Sequence, residues 1–149
     1  FRAPRWSMPR APWPYEALAS AGFEYSSSRL CIPGLGGGSP RSETLSGIQE
    51  LPALSAGNGW MAWPAGGTVA LRVASLWRLE RARDRVLAHG RPAVYWFHPW
   101  ELLDDAPRVG GSALFRWSRY ARLDRLPERL KALVPPGDRT FRTLLARGK

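Results

Sequence analysis

A histidine stands at the point where a hydrophobic segment of this chain ends. Residues 92–97 are almost entirely apolar, and His98 follows them directly, just before a proline. A short run of this kind, bounded by Gly90 and Pro99, is typical of a strand buried on both faces in a parallel sheet covered by helices. Pro99 has no N–H to give to a sheet, so the strand should end there. Active sites of such folds lie at the C-terminal ends of the strands, which makes His98 the first candidate for chemistry.

Histidine suits proton transfer because imidazole gains and loses a proton near neutral pH. A lone histidine beside tryptophans is nevertheless more often a packed, hydrogen-bonded residue than a catalyst. The other histidine, His89, follows a predicted helix, whose C-terminal end favours positive charge, and we expect it to cap that helix. A functional role for His98 therefore depends on support from other parts of the chain.

The composition is that of a globular domain with an excess of arginine. Of the 149 residues, 44% are apolar, and 20 of the 22 basic residues are arginines, for a net charge of +10. The arginines are scattered, and no basic run or nucleic-acid motif accompanies them. We therefore expect no nucleic-acid partner, with a basic nucleic-acid-binding module as the weaker alternative.

Other features of the sequence limit the class of protein. The single cysteine, Cys31, excludes a disulfide framework. No apolar run approaches the roughly 20 residues of a membrane span, so we expect no transmembrane segment. The sequence begins at Phe1 without a leader, from which we expect a missing N-terminus. The compartment stays open, with the cytoplasm favoured, and so does the oligomeric state.

Alternating helix and strand signals predict an α/β fold. The predicted helices are 15–21, 68–88, 113–123, 126–134 and 140–146, and the predicted strands are 23–25, 48–51 and 92–97. Thr68 should cap the start of the longest helix, and Gly90 should close its end in the left-handed conformation. The glycine-rich segment 32–46 predicts a surface loop, and 57–67 an irregular region or a short hairpin.

Two segments together resemble motifs of the polysaccharide deacetylase family, also called the NodB-homology family or carbohydrate esterase family four. Arg2, Pro4 and Trp6 match its third motif, arginine–any–proline followed by an aromatic residue. Residues 96–101 match its fifth motif, a hydrophobic strand that ends in the catalytic histidine. The form His-Pro-Trp-Glu is characteristic of the subgroup that accompanies exosortase and exopolysaccharide gene clusters. The resemblance covers nearly the whole chain but only the C-terminal part of the family's domain.

The resemblance implies the C-terminal portion of a distorted (β/α) barrel with a helical C-terminal tail. Residues 1–149 would form one partial deacetylase domain. Within it, residues 1–30 would be a barrel portion with the third motif, and 31–68 an irregular insert with short strands. Residues 69–101 would be the helix and strand that end in the histidine motif, and 102–149 a helical extension.

The resemblance also implies an activity, the hydrolysis of acetyl groups on an exopolysaccharide or its precursor. The expected bond is a carbon–nitrogen bond of an N-acetyl group, and the partner is the acetylated polysaccharide. By this match His98 is the general acid, and Arg2 orients the catalytic base carboxylate. The residues expected to contact sugar are Pro4, Trp6, Trp96 and Trp100. The alternative is a glycan-binding relative without catalysis.

Two departures from the family concern the metal and the acid. In the family a divalent metal, commonly zinc, is bound through an Asp-Asp pair and a His-x-x-x-His pair. This chain has only His89 and His98, so we expect it to bind no metal and to be inactive alone, with the metal held by the missing N-terminal part. A family aspartate that tunes the acid histidine is Ser26 here, which would weaken proton donation by His98.

Overall fold

A computed structural model describes residues 1–9, 11–32, 42–134 and 140–141. The architecture is mixed α/β, as the alternating signals predict. The helices are α1 (Trp13–Ser20), α2 (Thr68–Val73), α3 (Leu76–Ala88), α4 (Ala113–Tyr120) and α5 (Leu126–Leu133). The strands are β1 (Tyr25–Ser26), β2 (Glu43–Leu45) and β3 (Ile48–Glu50). No helix within these ranges is long and apolar enough to cross a membrane.

The strands form a small mixed sheet in the order β1-β3-β2. Strand β1 runs parallel to β3, with Ser26 opposite Glu50, whereas β2 and β3 form an antiparallel hairpin. The hairpin turn contains Ser46 and Gly47, with φ of 49° and 80°. Positive φ at both central residues is the turn geometry that matches the twist of paired strands.

Extended segments continue the sheet on both sides of these strands. The Phe1 ammonium donates to the Tyr25 carbonyl over 2.9 Å, and the Ser27 N–H donates to the Phe1 carbonyl over 2.9 Å. On the other side, the Leu54 N–H donates to the Val94 carbonyl over 2.9 Å. Backbone bonds therefore link the N-terminal segment, through the central strands, to the segment that precedes His98.

Three groups of buried apolar side chains pack four of the helices against one another, against the sheet or against the extended segments. Leu71 of α2, Leu79 of α3 and Leu126 of α5 belong to the first group and are fully buried. The second group joins Tyr15 of α1 to Ile48 of β3. The third packs α3 on the extended segments; its buried members are Leu54, Ala65 and Ala82.

The prediction of one continuous helix over 68–88 is wrong. The backbone is extended at Ala74 and Ser75, which separates α2 from α3. The Arg129 guanidinium donates to the carbonyls of Leu71 and Ala74, which satisfies acceptors that a helix end leaves without partners. The apolar stripe continues across this break, so periodicity alone could not reveal it. The end of the helix is confirmed: Gly90 has φ of +67°.

The prediction of a strand over 92–97 is also wrong in part. The segment is extended, but it forms only an isolated bridge between Trp96 and Gly67, and no strand is assigned. Only Val94 is buried, whereas Phe97 is 38% exposed. An apolar run does not distinguish a strand buried on both faces from a segment that packs on one face. Of its aromatic side chains, Trp96 belongs to a surface row described below, whereas Tyr95 packs against the buried clusters.

The remaining elements follow the sequence more closely. Helices α1, α4 and α5 confirm the predicted helices 15–21, 113–123 and 126–134 with shifted ends. In the region 57–67, Trp63 forms a bridge to Ala56, and Gly59–Met61 form a 3₁₀ turn. Only residues 140–141 of the predicted helix 140–146 are described. Residues 33–41 of the predicted loop 32–46 lie outside the described residues, and the loop prediction is wrong for Glu43–Leu45, which form β2.

Candidate functional site

The two segments that carry the predicted site residues contact each other through their tryptophans. The ring of Trp6 lies edge-on to that of Trp96, with 5.4 Å between centroids. The centroids of the Trp96 and His98 rings are 6.0 Å apart. His98 stacks on Trp100, with 6.2 Å between centroids and 15° between ring planes. The Arg2 guanidinium lies 5.2 Å from the centroid of Trp6. Trp6, Trp96, His98 and Trp100 thus form one continuous surface feature, here called the aromatic row.

A short 3₁₀ turn, Pro4–Trp6, places the first ring of the aromatic row. Arg5 and Trp6 have φ of 54° and 59°, the left-handed region that bulky side chains rarely adopt. Such a conformation costs about 1–3 kcal/mol per residue and persists only where surrounding contacts impose it. Here the Ala3 N–H donates to Ser28 Oγ over 2.9 Å and fixes the start of the turn. Pro4 is exposed at the beginning of this turn.

Arg2 is held by a serine among the described residues. Its Nε donates to the Ser27 carbonyl and its Nη2 to Ser27 Oγ, both over 2.8 Å. Burial lowers the pKa of Arg2, and the charge of Glu50 acts in the opposite direction. The guanidinium is therefore fixed beside Trp6 by the strand-end serine.

Glu101 fixes the backbone that carries His98. The turn after the histidine is a 3₁₀ helix, Pro99–Leu102, and Glu101 Oε2 accepts the His98 N–H over 2.7 Å. Glu101 is 2% exposed. Its Oε1 accepts a hydrogen bond from the Thr68 hydroxyl and lies 3.5 Å from Arg72 Nη2. Thr68 therefore binds Glu101 and does not cap α2, contrary to the sequence prediction; the N-cap residue is Gly67.

Arg72 links this turn to helix α4. It is 1% exposed, and its guanidinium donates to the carbonyls of Ser118 and Ala121 over 2.7 Å and to that of Arg119 over 2.9 Å. These carbonyls belong to the end of α4, where no further turn supplies donors. Burial lowers the pKa of Arg72, and the charge of Glu101 raises it. The buried Glu101–Arg72 pair thus holds the His98 turn and the end of α4 in a fixed relation.

Ser26, which the resemblance matches to a family aspartate, belongs to a buried network that reaches the Trp6 turn through Ser28. Ser26 is fully buried, and its Oγ donates to Ser28 Oγ over 2.8 Å. The neighbouring Glu50 is 1% exposed and accepts the N–H groups of Ser28 and Arg29 over 2.7 and 3.0 Å. Tyr15 also donates its hydroxyl to Glu50 over 3.3 Å. These bonds join α1, β1 and β3 and give the carboxylate a structural role.

The arrangement offers sugar-sized flat surfaces with an exposed imidazole between them. The two indoles that flank His98 are partly exposed, and His98 itself is exposed. Indole faces suit the apolar face of a pyranose ring, and a positioned imidazole can donate a proton to a bound group. Among the described residues, no group of three or more His, Cys, Asp or Glu side chains is placed to hold a metal ion. The described residues therefore do not by themselves fit a metal site.

His89 has the capping position that the sequence predicts. It is the C-cap residue of α3, and its Nδ1 lies 2.7 Å from the Arg85 carbonyl oxygen. Three residues position His98 in a way that sequence reasoning did not predict: Glu101, Thr68 and Arg72. One signal was present, since a glutamate three residues after a helix-starting residue is the spacing of a capping box. The partners Thr68 and Arg72 have no such local signal.

Comparisons with known proteins identify a family for most of the chain. A family model, Domain of unknown function (DUF3473), matches residues 31–146. This domain is known from polysaccharide deacetylase-like proteins. Neither a search of curated proteins nor one of solved structures found a match. Since the match covers more than half of its length, the chain belongs to the family described as Domain of unknown function (DUF3473).

Proposed function

We propose that this chain carries the sugar-binding and proton-donating part of a polysaccharide deacetylase. The substrate is an acetylated exopolysaccharide or its precursor, and the bond hydrolysed is the amide of an N-acetyl group. The contact between Trp6 and Trp96 carries the proposal, because it joins Arg2, Pro4 and Trp6 to His98 and Trp100. Membership in a family known from deacetylase-like proteins supports it.

The proposal gives His98 a defined step. Addition of water to the amide carbonyl forms a tetrahedral intermediate, and its collapse breaks the C–N bond. An amide nitrogen leaves only when protonated, so an acid must deliver a proton as the bond breaks. His98 donates that proton from its ring while Trp96 and Trp100 hold the sugar. Activation of the carbonyl and of the attacking water is not assigned to residues of this chain.

The fold in this proposal is the C-terminal portion of a distorted (β/α) barrel. The parallel pairing of β1 with β3 and of Leu30 with Ala53 supports it, because barrel strands run parallel. The backbone bonds of the N-terminal segment and of Leu54 to Val94 extend that side-by-side order.

Acetate release by the full-length protein tests the catalytic role. Wild type and the variants His98→Asn and His89→Asn would be compared on acetylated exopolysaccharide and on chitin oligomers. We expect His98→Asn to lower kcat by about 10²–10⁴-fold, the usual contribution of a general acid, with KM little changed. His89→Asn alters a histidine outside the aromatic row and should keep wild-type kcat. A His98→Asn variant with wild-type kcat would contradict the proposed step.

A glycan-binding protein without catalysis is the second candidate. One observation favours it: within the described residues, the His98 ring contacts the flanking indoles and makes no hydrogen bond to a carboxylate that would orient it. In the same experiment this candidate predicts glycan binding by wild type and by His98→Asn alike, with no acetate released by either.

A further inference from the structure

The aromatic row continues beyond Trp100 onto helix α4. The ring of Tyr120 lies edge-on to that of Trp100, with 6.1 Å between centroids. The Arg119 guanidinium lies 4.6 Å from the centroid of Trp100 and 5.6 Å from that of Phe115. The Arg108 guanidinium lies 5.0 Å from the centroid of Tyr120. Both ends of the extended row therefore carry guanidinium groups, with Arg2 at the Trp6 end.

Two of these cations have no carboxylate at ion-pair distance. In the described part of the chain the ion pairs are Arg29–Glu43, Arg72–Glu101 and Arg83–Asp84, and neither Arg2 nor Arg119 belongs to them. Arg108 differs, because it lines a cavity of about 560 Å³ together with three aspartates, Asp104, Asp105 and Asp124. Arg2 and Arg119 do not line that cavity, so the argument rests on these two residues.

Stacked guanidinium groups are suited to bind anions. Contact with a ring face restricts the side chain and leaves donors at the rim of the group for a ligand. In Arg2 the Nε and Nη2 groups bind Ser27, and in Arg119 Nε is buried, so a carboxylate would bind at the terminal Nη groups. A carboxylate accepts two such parallel N–H bonds, and bonds of this kind are about twice as strong as neutral ones. A neutral sugar polymer would leave these donors without a matching charge.

We infer that the extended row binds an anionic polysaccharide, in which sugars with carboxylate groups accompany the acetylated sugars. The inference rests on the proposed function and adds the charge of the substrate. The acetylated sugar lies at His98, between Trp96 and Trp100. Carboxylates of neighbouring sugars are bound by Arg119 on one side and by Arg2 on the other. Aromatic rings with arginines also suit single-stranded nucleic acid, but the family to which the chain belongs favours a glycan.

Binding of a matched pair of polymers tests the inference. Isothermal titration of the full-length protein would use oligosaccharides of alternating N-acetylglucosamine and glucuronate, and the same oligosaccharides with their carboxyl groups reduced to alcohols. We expect the anionic form to bind at least about tenfold more tightly, since one charge-assisted hydrogen bond contributes about that factor. This comparison needs no variant.

Two variants then locate the effect. Arg119→Gln should remove most of the advantage of the anionic form; Arg119 Nε is buried without a partner in the described residues, so no hydrogen bond from it is lost. Arg116→Gln is the matched control, because Arg116 is an exposed arginine of the same helix without a ring contact among the described residues. It should keep at least about half of the wild-type affinity, as expected for a surface change.

The outcomes separate this inference from the proposed function. Equal affinity for the two polymers, with acetate released from neutral chitin oligomers, would overturn the anionic substrate and leave the deacetylase proposal intact. An equal loss of affinity in Arg116→Gln and Arg119→Gln would also overturn it, because the net charge would then explain binding. Tighter binding of single-stranded DNA than of either polymer would identify a nucleic-acid surface instead. Preferred binding of the anionic form without any acetate release would support the inference and count against catalysis.

Discussion

Glu101 controls the position of His98 although it is hidden from solvent. One carboxylate oxygen accepts the His98 N–H, and the other lies between the Thr68 hydroxyl and the Arg72 guanidinium. Arg72 in turn binds three carbonyls at the end of α4. Because each of these groups is buried or partly buried, the loss of the carboxylate would leave several donors and one positive charge without a partner.

Glu101→Ala should destabilise the protein by about 3–5 kcal/mol, the usual cost of removing one partner of a buried ion pair. The measurement is the free energy of unfolding in urea, followed by tryptophan fluorescence. Glu24→Ala is the control, because Glu24 is exposed, and it should change stability by less than about 0.5 kcal/mol. Equal effects of the two substitutions would show that the Glu101–Arg72 pair contributes little.

At the scale of the elements, close backbone approach around Gly66 holds the histidine segment in place. The Gly66 N–H donates to the Leu54 carbonyl over 2.7 Å, and the Trp96 N–H donates to the Gly66 carbonyl over 2.9 Å. A Cβ atom at Gly66 would lie 2.6 Å from the Val94 carbonyl oxygen and 2.8 Å from Leu54 Cβ. The pairing of these extended segments therefore depends on the absence of a side chain at this position.

Gly66→Ala should cost about 1–3 kcal/mol, as expected when a methyl group is forced into a filled space. The matched substitution is Gly110→Ala, since a Cβ at Gly110 would meet nothing within 4 Å. Thermal unfolding of the two variants gives the comparison. If Gly66→Ala were as stable as Gly110→Ala, the extended segments around Gly66 could separate without loss of stability. The described pairing would then be wrong.

At the scale of the whole molecule, folding alters the ionisation of the only cysteine. Cys31 follows the Arg29–Leu30 segment that pairs with β3 and its continuation. Burial is the main cause that raises the pKa of its thiol to about 11; Arg29 lowers it, and Glu43 and Glu50 raise it further. The folded protein therefore keeps the thiol protonated at pH values where the unfolded chain, with a thiol pKa near 9.0, has lost the proton.

This difference predicts a loss of stability at alkaline pH. Between about pH 9 and 11 the unfolded state binds fewer protons than the folded state, so the contribution of Cys31 to the free energy of unfolding falls as pH rises. One pKa unit corresponds to about 1.4 kcal/mol for a fully buried group, and solvent screening makes the loss smaller at the partly buried Cys31. Urea unfolding of wild type and Cys31→Ser at several pH values measures it. A pH dependence that is the same in both proteins would contradict the raised pKa.

The sequence predicted the ends and types of elements best where local chemistry decides them. Gly90 and the capping residue His89 end α3 as predicted, because a left-handed glycine and a ring nitrogen that contacts a carbonyl of the last turn both act within one turn. The prediction of one helix over 68–88 failed because Arg129, which is distant in sequence, supplies donors to the end of α2. The prediction of a strand over 92–97 failed because Phe97 is exposed and Trp96 belongs to the aromatic row, so the segment packs on one face only.

The candidate site also combines features that the sequence predicted with contacts that only the tertiary structure decided. Residue type and position in the sequence singled out His98, and the resemblance to deacetylase motifs singled out Arg2 and the tryptophans, because motifs of this kind are local in sequence. Tertiary structure decided that Trp6 meets Trp96, that a serine holds Arg2, and that Glu101 and Arg72 fix the histidine turn. These contacts join segments far apart in the chain, and no local pattern records which of many buried polar groups will become partners. Their choice depends on how the packed helices and extended segments bring donors and acceptors within bonding distance.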